Sequence, residues 1–248
     1  MMRFLPLLKF TFYAPNNHFP SISLTGRNCA LSCSHCNGKY LVHMHDGSGT
    51  EKLKNLLFQI HKNGAKGVLL SGGFDKHGSI PIFKNLVDTI GLIKRETSLL
   101  INMHTGMQDE NTYKALREAD VDCISLDILS KHSSSQIYGL NYDLKDYVSN
   151  MNRASNCGLR VVPHITVGLP GMDTSIVQTL PPSPSNKYVV NTLLSNDKEQ
   201  HPYLKKETVA VVSSLRKRNL ARDIIVGCMR PRGDFAFARA LMAVSYTH

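Results

Sequence analysis

Three cysteines, Cys29, Cys33 and Cys36, stand within eight residues of one another in the stretch TGRNCALSCSHCNG, residues 25 to 38. A structural zinc site usually draws four ligands from two paired knuckles, and a dithiol redox centre needs only Cys-x2-Cys. The spacing here is Cys-x3-Cys-x2-Cys. Three thiolates on one loop can hold three irons of a cubane 4Fe-4S cluster and leave the fourth iron free to bind and reduce a ligand. Clusters that only carry electrons close that position with a fourth cysteine. No fourth cysteine lies nearby, since the remaining three are Cys123, Cys157 and Cys228.

Other polar groups fall where such chemistry would need them. LLSGGFD runs a strand into Gly72-Gly73, and paired glycines let a backbone approach a ligand closely. Side chains alternate across a strand, so polar residues with period two mark the lumen of a barrel and apolar ones its helix-covered outside. In LINMHTG, Asn102 and His104 oppose Ile101 and Met103; in CISLDIL, Cys123, Ser125 and Asp127 oppose Ile124, Leu126 and Ile128; in VVPHITVGL, His164 and Thr166 oppose Ile165 and Val167. The polar groups gather toward the C-terminal ends of the strands, the end where barrel enzymes carry their active sites. A strand histidine is also commonly a hydrogen-bonded core residue. Asp127 is more telling, because a carboxylate among apolar neighbours is costly to bury unpaired; a ribose hydroxyl, a substrate cation or His104 would serve as partner. In DIIVGCMRPRG the same alternation puts Val226, Cys228 and Arg230 on one face, where thiol and guanidinium could bind a substrate carboxylate or part of a second metal site.

The elements that must position these residues are read as β-rich runs alternating with helical ones, the pattern of βα units around a parallel sheet. Strands are predicted at Ser21–Thr25, Gly67–Ser71, Leu99–His104, Cys123–Leu129, Arg160–Val167, Tyr188–Leu194 and Asp223–Cys228. Helices are predicted in TEKLKNLLFQIHKNGA, which ends at Gly64, and in IPIFKNLVDTIGLIKRE, DENTYKALREA and ETVAVVSSLRKRN. The fold class is therefore α/β, a partial (β/α) barrel with parallel strands. Prolines 181, 182 and 184 leave the 170–187 connection little room for a helix, so it should be irregular. One domain is expected over residues 19–241, with an N-terminal extension at 1–18 and a tail at 242–248 that is disordered or not native.

The cysteine spacing, on the loop after the strand in FPSISLTG and before an expected helix, resembles the radical SAM superfamily. The resemblance implies a 4Fe-4S cluster held by Cys29, Cys33 and Cys36, with S-adenosylmethionine chelated to the open iron through its amino and carboxylate groups. One electron then cleaves a C–S bond to give a 5′-deoxyadenosyl radical, which takes hydrogen from an unactivated carbon; the cofactor supplies the hard chemistry and the protein positions it. Gly72 and Gly73 match the family's Gly-Gly-Glu stretch, which receives the methionine amino group. Phe74 replaces the usual acidic residue and Asp75 follows, leaving that contact to backbone carbonyls or to Asp75. The resemblance makes Asn102, His104, Asp127 and His164 candidates for ribose or methionine contacts. Val167–Leu169, centred on Gly168, is similar to the segment beside adenine, and His35 stands where the family often has an adenine-bordering aromatic.

FPSISLTGRNCALSCSHCNGKYL, VVPHITVGL and DIIVGCMRPRG look like the biotin-synthase-like branch, especially the two-protein lipoyl synthases of archaea and anaerobic bacteria, over most of residues 11 to 235. That likeness implies sulfur insertion into an octanoyl chain on an acyl-carrying protein, a second radical SAM subunit and a reductant such as ferredoxin or flavodoxin. Sulfur would come from an auxiliary iron–sulfur cluster, with Cys228 and Arg230 as the catalytic candidates. Cys157 reads as structural at a helix end and Cys123 as deep in the barrel, so such a cluster would need histidine, arginine or a partner protein as further ligands.

The 248 residues, 42% hydrophobic, suit one large core. Six cysteines without a signal-like segment ahead of them favour a reducing, cytoplasmic setting, and no window approaches the roughly 18 apolar residues of a membrane span. The net charge of +10 favours polyanionic partners in general. The charges are scattered, however, and the runs Lys205-Lys206 and Arg216-Lys217-Arg218 read as a solvated helix face, which makes nucleic acid a poor fit. Two alternatives remain: a radical SAM methyl- or methylthiotransferase acting on RNA or a small molecule, and a non-catalytic metal-binding subunit.

Overall fold

The computed structural model describes residues 18–243 apart from 32, 194–197, 228 and 232. Fifteen helices and strands alternate along them: β1 (Ser21–Ser23), β2 (His45–Asp46), α1 (Thr50–Lys62), β3 (Gly67–Ser71), α2 (Lys84–Glu96), β4 (Leu100–His104), α3 (Glu110–Glu118), β5 (Cys123–Asp127), α4 (Lys131–Tyr138), α5 (Leu144–Asn156), β6 (Val161–Val167), β7 (Lys187–Thr192), α6 (His201–Lys217), β8 (Asp223–Val226) and α7 (Phe235–Ala243). The eight strands form one parallel sheet in the order β2-β1-β3-β4-β5-β6-β7-β8, which curls without closing. This is the partial α/β barrel expected from the sequence.

Local chemistry explains the helices. Leu53, Leu57 and Ile60 repeat at helical spacing and bury one face of α1, and Gly64 takes φ +82° just past its end. The Asp109 carboxylate caps α3 by accepting from Thr112 N–H, and Asp143 with Asp146 forms a reciprocal capping box at the start of α5. Outward-facing strand residues such as Val68, Leu70, Ile101, Met103 and Ile124 pack with α1, α2 and α3 in one core cluster. Ile165, Val167, Val190, Val211 and Leu215 lie in a second, with Tyr188. Each fully buried aliphatic side chain contributes roughly 1.5–3 kcal/mol.

The sequence reading needs several corrections. β2 was not predicted: two residues suffice to pair with Ile22 and Ser23 but are too few to show alternation. No α-helix follows the cysteines directly. The chain makes a 3-10 turn at Leu41–His43, with Asn37 and Gly38 both at positive φ, and α1 begins only at Thr50. α4, α7 and all of α5 except its end at Cys157 also went unpredicted. The 170–187 connection is irregular as expected, holding one 3-10 turn at Thr174–Gln178. The predicted extension overlaps the described chain only at His18, whose carbonyl accepts from Lys66 N–H; residues 1–17 lie outside the described residues. At the other end α7 runs to Ala243, two residues past the expected domain end, and 244–248 lie outside.

Candidate active site

The loop from β1 to β2 carries the three cysteines and is fastened to the C-terminal end of β3. Thr25 Oγ1 donates to the Asn28 carbonyl (2.9 Å) and accepts from Gly73 N–H (2.7 Å), while Ala30 N–H donates to the Phe74 carbonyl (2.8 Å). Gly73 lies so close that a Cβ there would stand 2.0 Å from the Asn28 oxygen and 2.6 Å from Cys29 Cα. The close approach that the paired glycines allow includes one to the cysteine loop itself. Gly72 likewise faces Thr25.

Cys33 is buried, and Cys29 and Cys36 are partly exposed. Burial first, then the neighbouring Cys29 and Cys36, push the Cys33 thiol up to about 11. Among the described residues no three His, Cys, Asp or Glu side chains converge on a single metal-ion position. Three soft donors on one loop, spaced Cys-x3-Cys-x2-Cys, suit a 4Fe-4S cluster.

His35 projects from the same loop, its ring set edge-on to Tyr138 (centroids 5.8 Å apart, 65°). Its Nδ1 is buried without a hydrogen-bond partner among the described residues, and burial, then Lys39, lower its pKa. A buried, unpartnered ring nitrogen beside the cysteines leaves a polar contact for a bound cofactor. Tyr138, the last residue of α4, has its hydroxyl proton held more tightly than usual, by burial first and then by Asp127 and Cys33.

Strand parity places His104, Asp127 and His164 together in the lumen. Asp127 pairs in register with His164, and His104 with Ser125. His104 Nδ1 stands 3.9 Å from Asp127 Oδ2, and the His104 and His164 rings meet edge to face with centroids 4.9 Å apart. Burial, then His104, hold His164 well below the usual imidazole range, so it is neutral near pH 7. Asn102 is engaged nearby, its Oδ1 accepting from Ser125 Oγ at 3.0 Å. His104, Ser125 and Asp127 line a small cavity of about 30 Å³ with Phe74, Tyr138 and Tyr147. A far larger groove, about 1090 Å³, runs along α5 outside the barrel, where the β6–β7 connection supplies a 3-10 turn instead of a helix. None of the expected site residues lines it.

Three expected residues are engaged within the chain itself. Asp75 Oδ1 accepts from His77 and Ser79 N–H, which ties that carboxylate oxygen into its own loop. Gly168, at φ +92°, is required by its own chain, because a Cβ there would stand 2.4 Å from the Leu193 carbonyl oxygen. β8 stops at Val226, so the alternation that grouped Val226, Cys228 and Arg230 does not extend to Arg230, whose Nη1 donates to the Gly227 carbonyl at 2.9 Å. Cys228 lies outside the described residues. Sequence reasoning missed Thr25 and Tyr138. Both become visible only once the cysteine loop is folded against β3 and α4.

The sequence profile described as Radical SAM superfamily matches residues 23–180, which spans the cysteine loop, the glycine pair and the lumen strands through β6. The chain belongs to the radical SAM superfamily. That family uses a 4Fe-4S cluster and S-adenosylmethionine. Solved structures share the fold at low identity. The FeFe-hydrogenase maturase HydG from Carboxydothermus hydrogenoformans is 16% identical, with TM-score 0.60 over 91% of this chain and 56% of that one. Methylornithine synthase (PylB) is 15% identical, with TM-score 0.53 over 92% and 82%. Streptococcus suis SuiB bound to S-adenosylmethionine is 13% identical, with TM-score 0.57 over 85% and 48%. The chain thus spans about half the length of HydG and SuiB. No curated protein sequence matches it. Among the described residues no helix is long and apolar enough to cross a membrane.

Proposed function

We propose that the chain cleaves S-adenosylmethionine reductively at a cluster held by Cys29, Cys33 and Cys36, and takes hydrogen from an unactivated carbon of a substrate in the barrel lumen. The observation that carries this is the pinning of the three-cysteine loop by Thr25 and Gly73 to the sheet end that bears His104, Asp127 and His164. When bound, the cluster and cosubstrate supply the one-electron chemistry. The residues of the chain orient and enclose. His35 offers its free Nδ1 and an aromatic edge, and the carbonyls of Gly72 to Phe74 are acceptors for an ammonium group. Asp127 provides an acceptor, and His104 a ring nitrogen, for hydroxyl or amino groups. Phe74, Tyr138 and Tyr147 keep water from the lumen wall.

Within that chemistry we take sulfur insertion, as in lipoyl and biotin synthesis, for the substrate reaction. What supports it is the likeness of the segments at residues 19–41, 161–169 and 223–233. It calls for a sulfur source, and Cys123 and Cys157 sit on separate elements, β5 and the end of α5. An auxiliary cluster would therefore draw on Cys228 or on a partner chain. The first test is anaerobic reconstitution, dithionite reduction and chromatography for 5′-deoxyadenosine. Its formation only in protein with all three cysteines is the expected result; metal binding without any 5′-deoxyadenosine would favour a scaffold subunit. Iron and sulfide analysis tests the second step: about four irons per chain leave no sulfur-donating cluster, whereas substantially more requires one.

A further inference from the structure

Every crossover from β3 onward carries at least one α-helix except that from β6 to β7, which has only the five-residue 3-10 turn Thr174–Gln178. Prolines 181, 182 and 184 prevent a longer helix there. One flank of α5 is left without a helical neighbour, and the groove of about 1090 Å³ runs along it, with Ile176 and Thr179 of the short connection on its wall. The 13 residues of α5 make it roughly 20 Å long, so its open flank offers a helix of about three turns a full-length contact.

Apolar and cationic side chains share this groove. Leu144, Val148, Ile176 and Pro181 give it an apolar floor; Leu144 and Val148 lie four positions apart on one face of α5, and both keep part of their surface exposed. Around them stand four cations, Lys114, Lys131, Lys145 and Arg153, against two carboxylates, Glu110 and Asp143. Both carboxylates are already engaged. Glu110 Oε1 lies 2.6 Å from Lys114 Nζ, and the Asp143 side chain accepts from Lys145 and Asp146 N–H in the capping box of α5. Lys131 and Lys145 are exposed, and neither reaches a carboxylate at ion-pairing distance among the described residues. They also stand in the first turns of α4 and α5, where the helix dipole disfavours a cation. Cations kept against that local preference, beside an apolar floor, make the groove complementary to an acidic partner with an apolar face.

The sign of the charge narrows the occupant. A second copy of the chain carries +10, and residues 1–17 contain Arg3 and Lys9 but no acidic residue, so like charge opposes both. Nucleic acid is negative, but among the described residues no aromatic side chain lines the groove to stack a base. We propose that the groove takes an acidic amphipathic helix of a partner protein, seated beside α5 where the β6–β7 crossover supplies none. Apolar residues of that helix at i, i+3, i+4 and i+7 cover Leu144, Val148, Ile176 and Pro181, and its carboxylates meet Lys131 and Lys145. The contact lies outside the barrel and does not depend on the reaction in the lumen.

The test uses a fluorescein-labelled peptide of about 15 residues, leucine at i, i+3, i+4 and i+7 and mostly glutamate elsewhere, with binding to the full chain read by anisotropy at low and high salt. Saturable binding, weaker at high salt and accompanied by a gain in helical circular dichroism, is the expected result. Lys131→Glu with Lys145→Glu should weaken it about tenfold or more at low salt and flatten its salt dependence. Asn152→Trp, which fills the groove from an exposed position on α5, should also weaken it. Lys62→Glu with Lys66→Glu, an equal charge change at exposed positions at the end of α1 and just before β3, should alter affinity less than about threefold. Melting curves confirm that each variant is folded. Absence of binding at millimolar peptide, undiminished affinity in the Lys131/Lys145 variant, an equal loss in the Lys62/Lys66 control, or binding without helical gain overturns the proposal. So does a single-stranded RNA oligonucleotide that binds more tightly than the peptide and loses affinity in the same variants.

Discussion

Replacing Gly73 by alanine probes the contact on which the site depends. The new methyl carbon would sit 2.0 Å from the Asn28 carbonyl oxygen and 2.6 Å from both Cα and Cβ of Cys29, all of them backbone or backbone-proximal atoms. They cannot swing aside as a flexible side chain would, because the Asn28 oxygen accepts from Thr25 Oγ1 and that hydroxyl accepts from Gly73 N–H. Relief requires the cysteine loop to lift from β3. Overpacking of this kind costs about 1–3 kcal/mol, and loss of the two Thr25 hydrogen bonds adds about 0.5–1.5 kcal/mol each. A net loss near 3 kcal/mol corresponds to a fall of about 6–12 °C in Tm for a chain of this size. The decisive assay is iron per chain after anaerobic reconstitution, read beside the melting curve. Gly73→Ala should load less iron than wild type in proportion to the displaced loop, while Gly38→Ala, in open space but at φ +72°, should cost only about 1–2 kcal/mol of backbone strain. A Gly73→Ala protein that melts within a degree of wild type and carries its full iron would refute the view that this glycine serves the loop.

Thr25→Val keeps the shape but removes both hydrogen bonds of the bridge, and should lower stability by about 1–3 kcal/mol and reduce iron retention, measured by melting and by iron analysis after buffer exchange. Lys94 is largely buried, with Nζ 2.6 Å from Asp122 Oδ2, an oxygen that also accepts from Ile101 N–H at 2.7 Å; Lys94→Met should destabilise by about 2–4 kcal/mol in urea melts and leave iron loading intact. His164 has a folded-state pKa well below its ordinary value of 6.5, so below that pH the unfolded chain holds a proton the folded chain refuses. Stability attributable to it is therefore full above pH 6.5 and declines as pH falls, by at most about 1.4 kcal/mol per pH unit. His164→Gln should flatten that acid slope in denaturant melts between pH 6.5 and 5.

The sequence shows what a residue permits more readily than what it touches. Period-two alternation was enough to predict that Asn102 and His104, Ser125 and Asp127, and His164 and Thr166 face one lumen, because a parallel sheet leaves each strand no freedom in which side is inward. The cysteine loop was legible for a similar reason, since the ligand spacing lies within one short segment. Gly73 was recognised as a close-approach position, and what it approaches in the fold includes the chain itself, at the Asn28 carbonyl. A missing Cβ is visible in sequence, whereas its neighbour depends on how a loop far away in the chain folds back. The same limit explains Tyr138. Nothing in KHSSSQIYG marks its last aromatic residue until α4, capped by Ser130 and closed by Gly139 at φ +65°, carries the side chain to the wall of the cavity that Asp127 lines. The β8 strand shows the opposite failure, an alternation carried past the strand's end. Val226 ends β8, and beyond it Arg230 turns back to donate to the Val226 and Gly227 carbonyls. Patterns in sequence therefore hold within an element, and the contacts that join the cysteine loop to the lumen lie between elements, where only the folded chain records them.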